Sequence, residues 1–108
     1  MKHWILEGHK IKEVDLATWA RWFEKADRRV ALDKVKGKRS STVFLGVDHN
    51  FQEKGPPLLF ETMIFPQNSF QYSFTEEYCE RYCERYATWE EAKAGHHRAV
   101  DMCRGLVP

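Results

Sequence analysis

The residues of this chain best suited to acid–base or metal chemistry are Asp48 and His49, Glu61, and the adjacent His96 and His97. Asp48-His49 follows the β-rich run Thr42-Val43-Phe44-Leu45-Gly46-Val47, so it stands at a strand end, where groups project from a rigid scaffold. Glu61 interrupts an otherwise apolar run from Leu58 to Phe65, and His96-His97 falls in a helical segment. If Asp48, His49, Glu61 and His96 met, carboxylate and imidazole could exchange protons or hold a divalent metal, as in a small hydrolase or nuclease. Each also has a plainer role. Asp48 and Asn50 suit a turn, because their side chains bond nearby backbone. His96 and His97 point about 100° apart on a helix, so one ion cannot easily take both. H-E-x-x-H, paired C-x-x-C and EF-hand patterns are absent, and no metal or cofactor is expected. Glu61 is expected either to pair with Arg81 or Arg85 on a neighbouring strand or to line a pocket.

Nucleophilic catalysis finds little support. Ser40, Ser41 and Thr42 are consecutive hydroxyls, but no G-x-S-x-G or Cys–His signature surrounds them. Cys79, Cys83 and Cys103 are too few for a four-thiolate zinc site, and without an export signal they are expected to be free thiols. Lys34, Lys36, Lys38 and Arg39 form a basic turn that could touch nucleic acid, although a solvated hairpin tip is the simpler account. Arg28 and Arg29 sit where they would offset the C-terminal dipole of a preceding helix. Trp22 flanks an aromatic stripe with Trp19 and Phe23; it is a partner anchor if exposed and core if not.

Composition narrows the function classes. Over 108 residues, seventeen basic and sixteen acidic side chains leave a formal charge of +1. That balance disfavours a protein built to coat nucleic acid or an anionic membrane. Four Trp, four Tyr and seven Phe supply enough large apolar surface for a folded domain, and the length fits one domain. No apolar run is long enough to span a membrane, and the N-terminal residues do not read as a signal peptide, so a cytoplasmic location is expected.

The elements that must carry these residues are legible in the hydropathy pattern. Gly8-His9 separates two short β-prone runs and suits a type II′ hairpin. Asp15 caps a first helix, from Leu16 to about Asp27, whose inward stripe is Leu16, Trp19, Ala20, Phe23 and Ala26. Strands are expected at Val30–Val35, Thr42–Val47, Leu58–Phe65 and Tyr78–Tyr86, with Thr75–Cys79 either strand or helical turn. Thr88 and Glu91 form a capping box for a second helix reaching about Arg104, with Trp89, Ala92, Ala99, Val100 and Cys103 as its buried stripe. The fold class is therefore α+β: a mainly antiparallel sheet of four or more strands, an N-terminal hairpin and two helices, in the order β-β-α-β-β-β-β-α.

In Leu58–Phe65, Leu58, Phe60 and Ile64 share one face while Leu59, Met63 and Phe65 share the other. A sheet apolar on both faces must be covered on both. Two helices usually cover one face of four strands, so a symmetric homodimer through part of the sheet is expected.

Four stretches carry a resemblance: Thr18-Trp19-Ala20-Arg21-Trp22-Phe23-Glu24, Ser41-Thr42-Val43-Phe44-Leu45-Gly46, Pro57-Leu58-Leu59-Phe60-Glu61-Thr62-Met63, and Glu84-Arg85-Tyr86-Ala87-Thr88-Trp89-Glu90-Glu91-Ala92. They resemble small hypothetical proteins encoded by tailed bacteriophages and prophages. The resemblance implies an accessory protein in the infected bacterial cytoplasm and carries no activity or site residue with it. With no catalytic signature present, the expected mode of action is binding a host or phage protein or sequestering a small ligand, with Trp22, Glu61, Arg81 and Arg85 as candidate contacts.

Overall fold

The computed structural model describes residues 1–52, 54–66 and 82–106, and its elements follow the expected α+β order. Strands β1 (His3–Glu7) and β2 (Lys10–Val14) form the hairpin, turning at Gly8 with φ +63°. Asp15 caps α1 (Leu16–Lys25) by accepting a 2.7 Å hydrogen bond from the Thr18 N–H. Hydrogen bonds from the Thr18 side chain and from its N–H hold the Asp15 carboxyl below its ordinary range. The helix stops short of Asp27 because Ala26 turns extended.

The main sheet runs β3 (Arg29–Val35), β4 (Lys38–Phe44), β5 (Phe60–Pro66) and β6 (Cys83–Tyr86), every neighbour antiparallel. Lys36 and Gly37 link β3 to β4 with positive φ at both positions, the signature of a type I′ turn. Strand β4 starts four residues before Thr42 and ends at Phe44. Lys38–Ser41 pair with neighbours on both sides, and the chain then bends at Gly46, φ +78°. A Cβ at Gly46 would lie 2.9 Å from the Trp19 indole nitrogen, so glycine also lets α1 close on this bend. The Trp4 N–H donates to the Gly46 carbonyl at 3.0 Å and ties the hairpin to the same point. The expected strand Tyr78–Tyr86 is seen as Cys83–Tyr86; Tyr78 to Arg81, and the Thr75–Cys79 alternative, lie outside the described residues.

Helix α2 (Trp89–Cys103) is capped as its sequence requires: the Thr88 hydroxyl accepts the Glu91 N–H at 3.1 Å. The Glu91 carboxylate takes the Thr88 hydroxyl proton, not the backbone N–H of a capping box. The helix lies across all four strands of the main sheet. Strand register assigns Ala31, Asp33, Ser40, Thr42, Phe44, Phe60, Thr62, Ile64 and Tyr86 to the side it covers. Trp4, Phe44, Leu59, Phe60, Tyr86 and Ala92 make the core there, with Trp22 edge-on to Phe44 at 5.7 Å between ring centres. Hairpin, α1 and α2 thus share one side of the sheet. Leu32, Ser41, Val43, Glu61, Met63 and Phe65 share the other, half-buried, with no described helix packed across them. No described helix is long and apolar enough to cross a membrane.

Candidate functional site

The sequence-predicted residues do not converge. Asp48 organises its loop: its carboxylate accepts the Asn50 N–H at 2.7 Å and the Leu58 N–H at 2.8 Å. The Asn50 amide in turn donates to the carbonyls of Lys54 and Pro56. His49 lies within hydrogen-bonding distance of the Val47 carbonyl, and its ring centre is 5.9 Å from that of Phe51. Glu61 faces the opposite side of the sheet from α2 and binds Arg85, its direct cross-strand partner, at 2.9 Å. The Cys83 thiol also donates to that carboxylate at 3.5 Å. Arg81 lies outside the described residues. Trp22 packs on the core, so it is not a free anchor. Arg28 does not simply offset the α1 dipole: its guanidinium stacks 4.1 Å over the Phe23 ring and donates to the Phe44 carbonyl. Among the described residues no three His, Cys, Asp or Glu side chains gather as a metal site.

His96 has the company that sequence reasoning missed. It sits on the buried stripe of α2, one helical turn after Ala92 and one before Val100. One ring nitrogen, Nδ1, lies 2.7 Å from the Thr42 hydroxyl, and the other, Nε2, lies 2.7 Å from the Asp33 carboxylate. Thr42 also meets the hydroxyl of Thr62, its cross-strand neighbour, in a short hydrogen bond. With a neutral ring every proton in the chain points one way: Thr62 donates to Thr42, Thr42 to Nδ1, and Nε2–H to Asp33. Carboxylate, imidazole and hydroxyl are connected in the order a hydrolase uses to activate a nucleophile.

Access decides what this chain of bonds can do. Thr42 and Thr62 are 0% exposed and His96 is 5% exposed, while Asp33 sits at the rim. No substrate carbonyl can reach a hydroxyl sealed between helix and sheet. The network instead clamps α2 onto β3, β4 and β5 and satisfies polar groups that would each cost about 1–3 kcal/mol if buried alone. Ser40, next along the same face, has a buried hydroxyl with no partner among the described residues.

Around Gly95 helix α2 meets the sheet through small residues. Ala92, Gly95 and Ala99 are buried, and the Tyr86 ring lies directly against Gly95.

On the far side of the sheet, register aligns Arg29, Lys34, Arg39 and Arg85 with Leu32, Val43, Met63 and Phe65. The Arg39 guanidinium lies 5.2 Å from the centre of the Phe65 ring. Glu61, held by Arg85, is the acidic residue among the described residues of this surface. Comparison of the chain with protein-family models, with curated proteins and with solved structures finds no match.

Proposed function

We propose that this protein is a non-enzymatic accessory protein of the phage type its sequence resembles, acting in the cytoplasm of an infected bacterium by binding. Counteracting a host defence is one concrete form. The observation that carries binding over catalysis is the burial of Thr42, Thr62 and His96, which denies substrate to the described acid–base–hydroxyl chain. The candidate contact surface is the sheet face opposite α2. Among the described residues basic side chains outnumber acidic ones on this face, with Arg29 and Lys34 exposed, which favours an acidic, partly apolar protein surface. A second copy of the same face would bring two basic surfaces together, which disfavours the symmetric dimer expected from hydropathy alone.

Native mass spectrometry of protein purified from its host tests this reading. A bound acidic partner, weakened by charge reversal at the exposed Arg29 and Lys34, supports it. A bare chain carrying neither partner nor metabolite refutes it, as does a hydrolase activity abolished by Thr42→Val. Nucleic acid is a second reading with one observation behind it: Lys34 and Arg39 are cross-strand partners beside the Phe65 ring, next to Lys36 and Lys38 at the turn. That reading requires affinity that falls steeply with salt.

A further inference from the structure

The β3–β4 turn, the end of β5 and the last turn of α2 meet around a cavity of about 330 Å³, at the end of the sheet opposite the Asp48 loop. Its buried and half-buried lining is apolar, from Ile64, Phe65, Met102 and Cys103. Its exposed lining is cationic, from Lys36 and Lys38, and no carboxylate contributes among the described residues.

The two lysines differ in their commitments. The Lys36 ammonium donates to the Arg104 carbonyl at 3.1 Å, just beyond the end of α2. The preceding carbonyls of Val100, Asp101 and Met102 are taken by the N–H groups of Arg104, Leu106 and Gly105. The helix end therefore already has partners for these carbonyls and does not need Lys38. The Lys38 ammonium makes no hydrogen bond or ion pair among the described residues. Its charge falls on the Cys103 thiol, where it partly offsets the upward push of burial. Tyr82 completes the wall; burial raises its phenol to about 12, so it stays a neutral donor.

We infer that this cavity binds a small molecule with an apolar body and one anionic head, with the body against Ile64, Phe65 and Met102 and a carboxylate at Lys38. The volume holds roughly ten to fifteen non-hydrogen atoms at interior packing density. Apolar walls with one uncommitted cation among the described residues favour that chemistry over a polyanion, which needs several donors, and over a neutral lipid, which needs none. The inference rests on the reading that the protein works by binding, but at a cavity beside the last turn of α2 that shares Phe65 with the arginine-bearing surface.

Isothermal titration of the whole chain with decanoate and with naphthoate, against decanol and decyltrimethylammonium, tests it. Both carboxylates should bind or one should, which separates chain-like from ring-like bodies. Decanol should bind about tenfold more weakly, and the cation not at all. Lys38→Gln, at an exposed position, should cost about tenfold in carboxylate affinity and leave decanol unchanged. Thiol labelling read by mass spectrometry places the site: bound carboxylate should slow labelling of Cys103 and not of Cys83. Equal binding of all head groups, no binding, an indifferent Lys38→Gln, or unshielded Cys103 overturns the inference. A captured acidic protein together with no carboxylate binding would sink this site alone and leave the broader reading standing.

Discussion

Gly95→Ala sets two physical effects of opposite sign against each other. In an exposed helix interior the change stabilises by about 1 kcal/mol, because glycine has more backbone freedom to lose. Here the new Cβ would lie 2.1 Å from the Tyr86 hydroxyl oxygen and 2.2 and 2.3 Å from two carbons of the same ring. All three atoms belong to one rigid side chain, so no small torsion relieves the contact. The ring must retreat by roughly 1.5 Å to restore ordinary packing. Tyr86 is only 5% exposed and sits in the core cluster, so retreat means displacing Phe60 or lifting α2 from the sheet. Overpacking of this kind costs about 1–3 kcal/mol, and a buried aromatic ring belongs at the upper end.

The net expectation is a loss of about 2 kcal/mol, or a Tm lower by about 8–16 °C for a domain of this size. Thermal unfolding followed by far-UV circular dichroism measures it. The diagnostic is a reversal of sign. In a Tyr86→Leu background the obstructing ring is gone, and Gly95→Ala should then stabilise by up to about 1 kcal/mol. A rise in Tm from Gly95→Ala in the otherwise unaltered chain would refute the packing argument, as would the same sign in both backgrounds.

Three further outcomes follow from the polar groups. Thr42→Val should destabilise by about 1–3 kcal/mol in urea unfolding, because it strands His96 Nδ1 and the Thr62 hydroxyl, whereas Ser40→Ala should be neutral or stabilising by up to about 1 kcal/mol because it removes a buried hydroxyl without a partner. Asp15→Ala should cost stability at neutral pH; because capping holds the folded carboxyl below its unfolded value, the gap between the two proteins should persist above the usual carboxylate range and close as pH falls through the folded value. Cys103 should react with iodoacetamide more slowly than a free thiol at neutral pH, and its rate should climb at higher pH than the free thiol's, since burial raises its pKa.

Local chemistry was readable wherever one residue and its near neighbours decide the structure. The caps at Asp15 and Thr88 and the turn at Gly8 fall where spacing places them. Strand β4 was harder: Lys38-Arg39-Ser40-Ser41 has poor β propensity and reads as turn, yet neighbours on both sides make it the inner ladder. The Glu61–Arg85 pair was foreseeable because a charge in an apolar strand needs a partner across the ladder. The His96 network was not. Its members are 20, 54 and 63 residues apart, and strand register alone aligns Thr42 with Thr62 beneath the helix. One clue was present in the helical period: position 96 falls on the same stripe as Ala92, Ala99 and Val100, so the histidine had to face inward and needed partners.

The need for the clamp follows from the size of the side chains at the middle of α2. At its middle the helix meets the sheet through Ala92, Gly95 and Ala99, which bury little apolar area there, while Val100 and Cys103 pack toward its C-terminal end. Hydrophobic contact alone then leaves its position weakly determined, and a directional contact at mid-helix supplies what is missing. His96 fits that need because an imidazole reaches two partners at once, Asp33 at the rim and Thr42 beneath. The same close approach seals the hydroxyls from solvent, so the feature that fixes the helix also keeps its acid–base chain from acting as a catalyst. The arginine-bearing face has no described helix across it, and its apolar residues Leu32, Val43, Met63 and Phe65 stay half-buried.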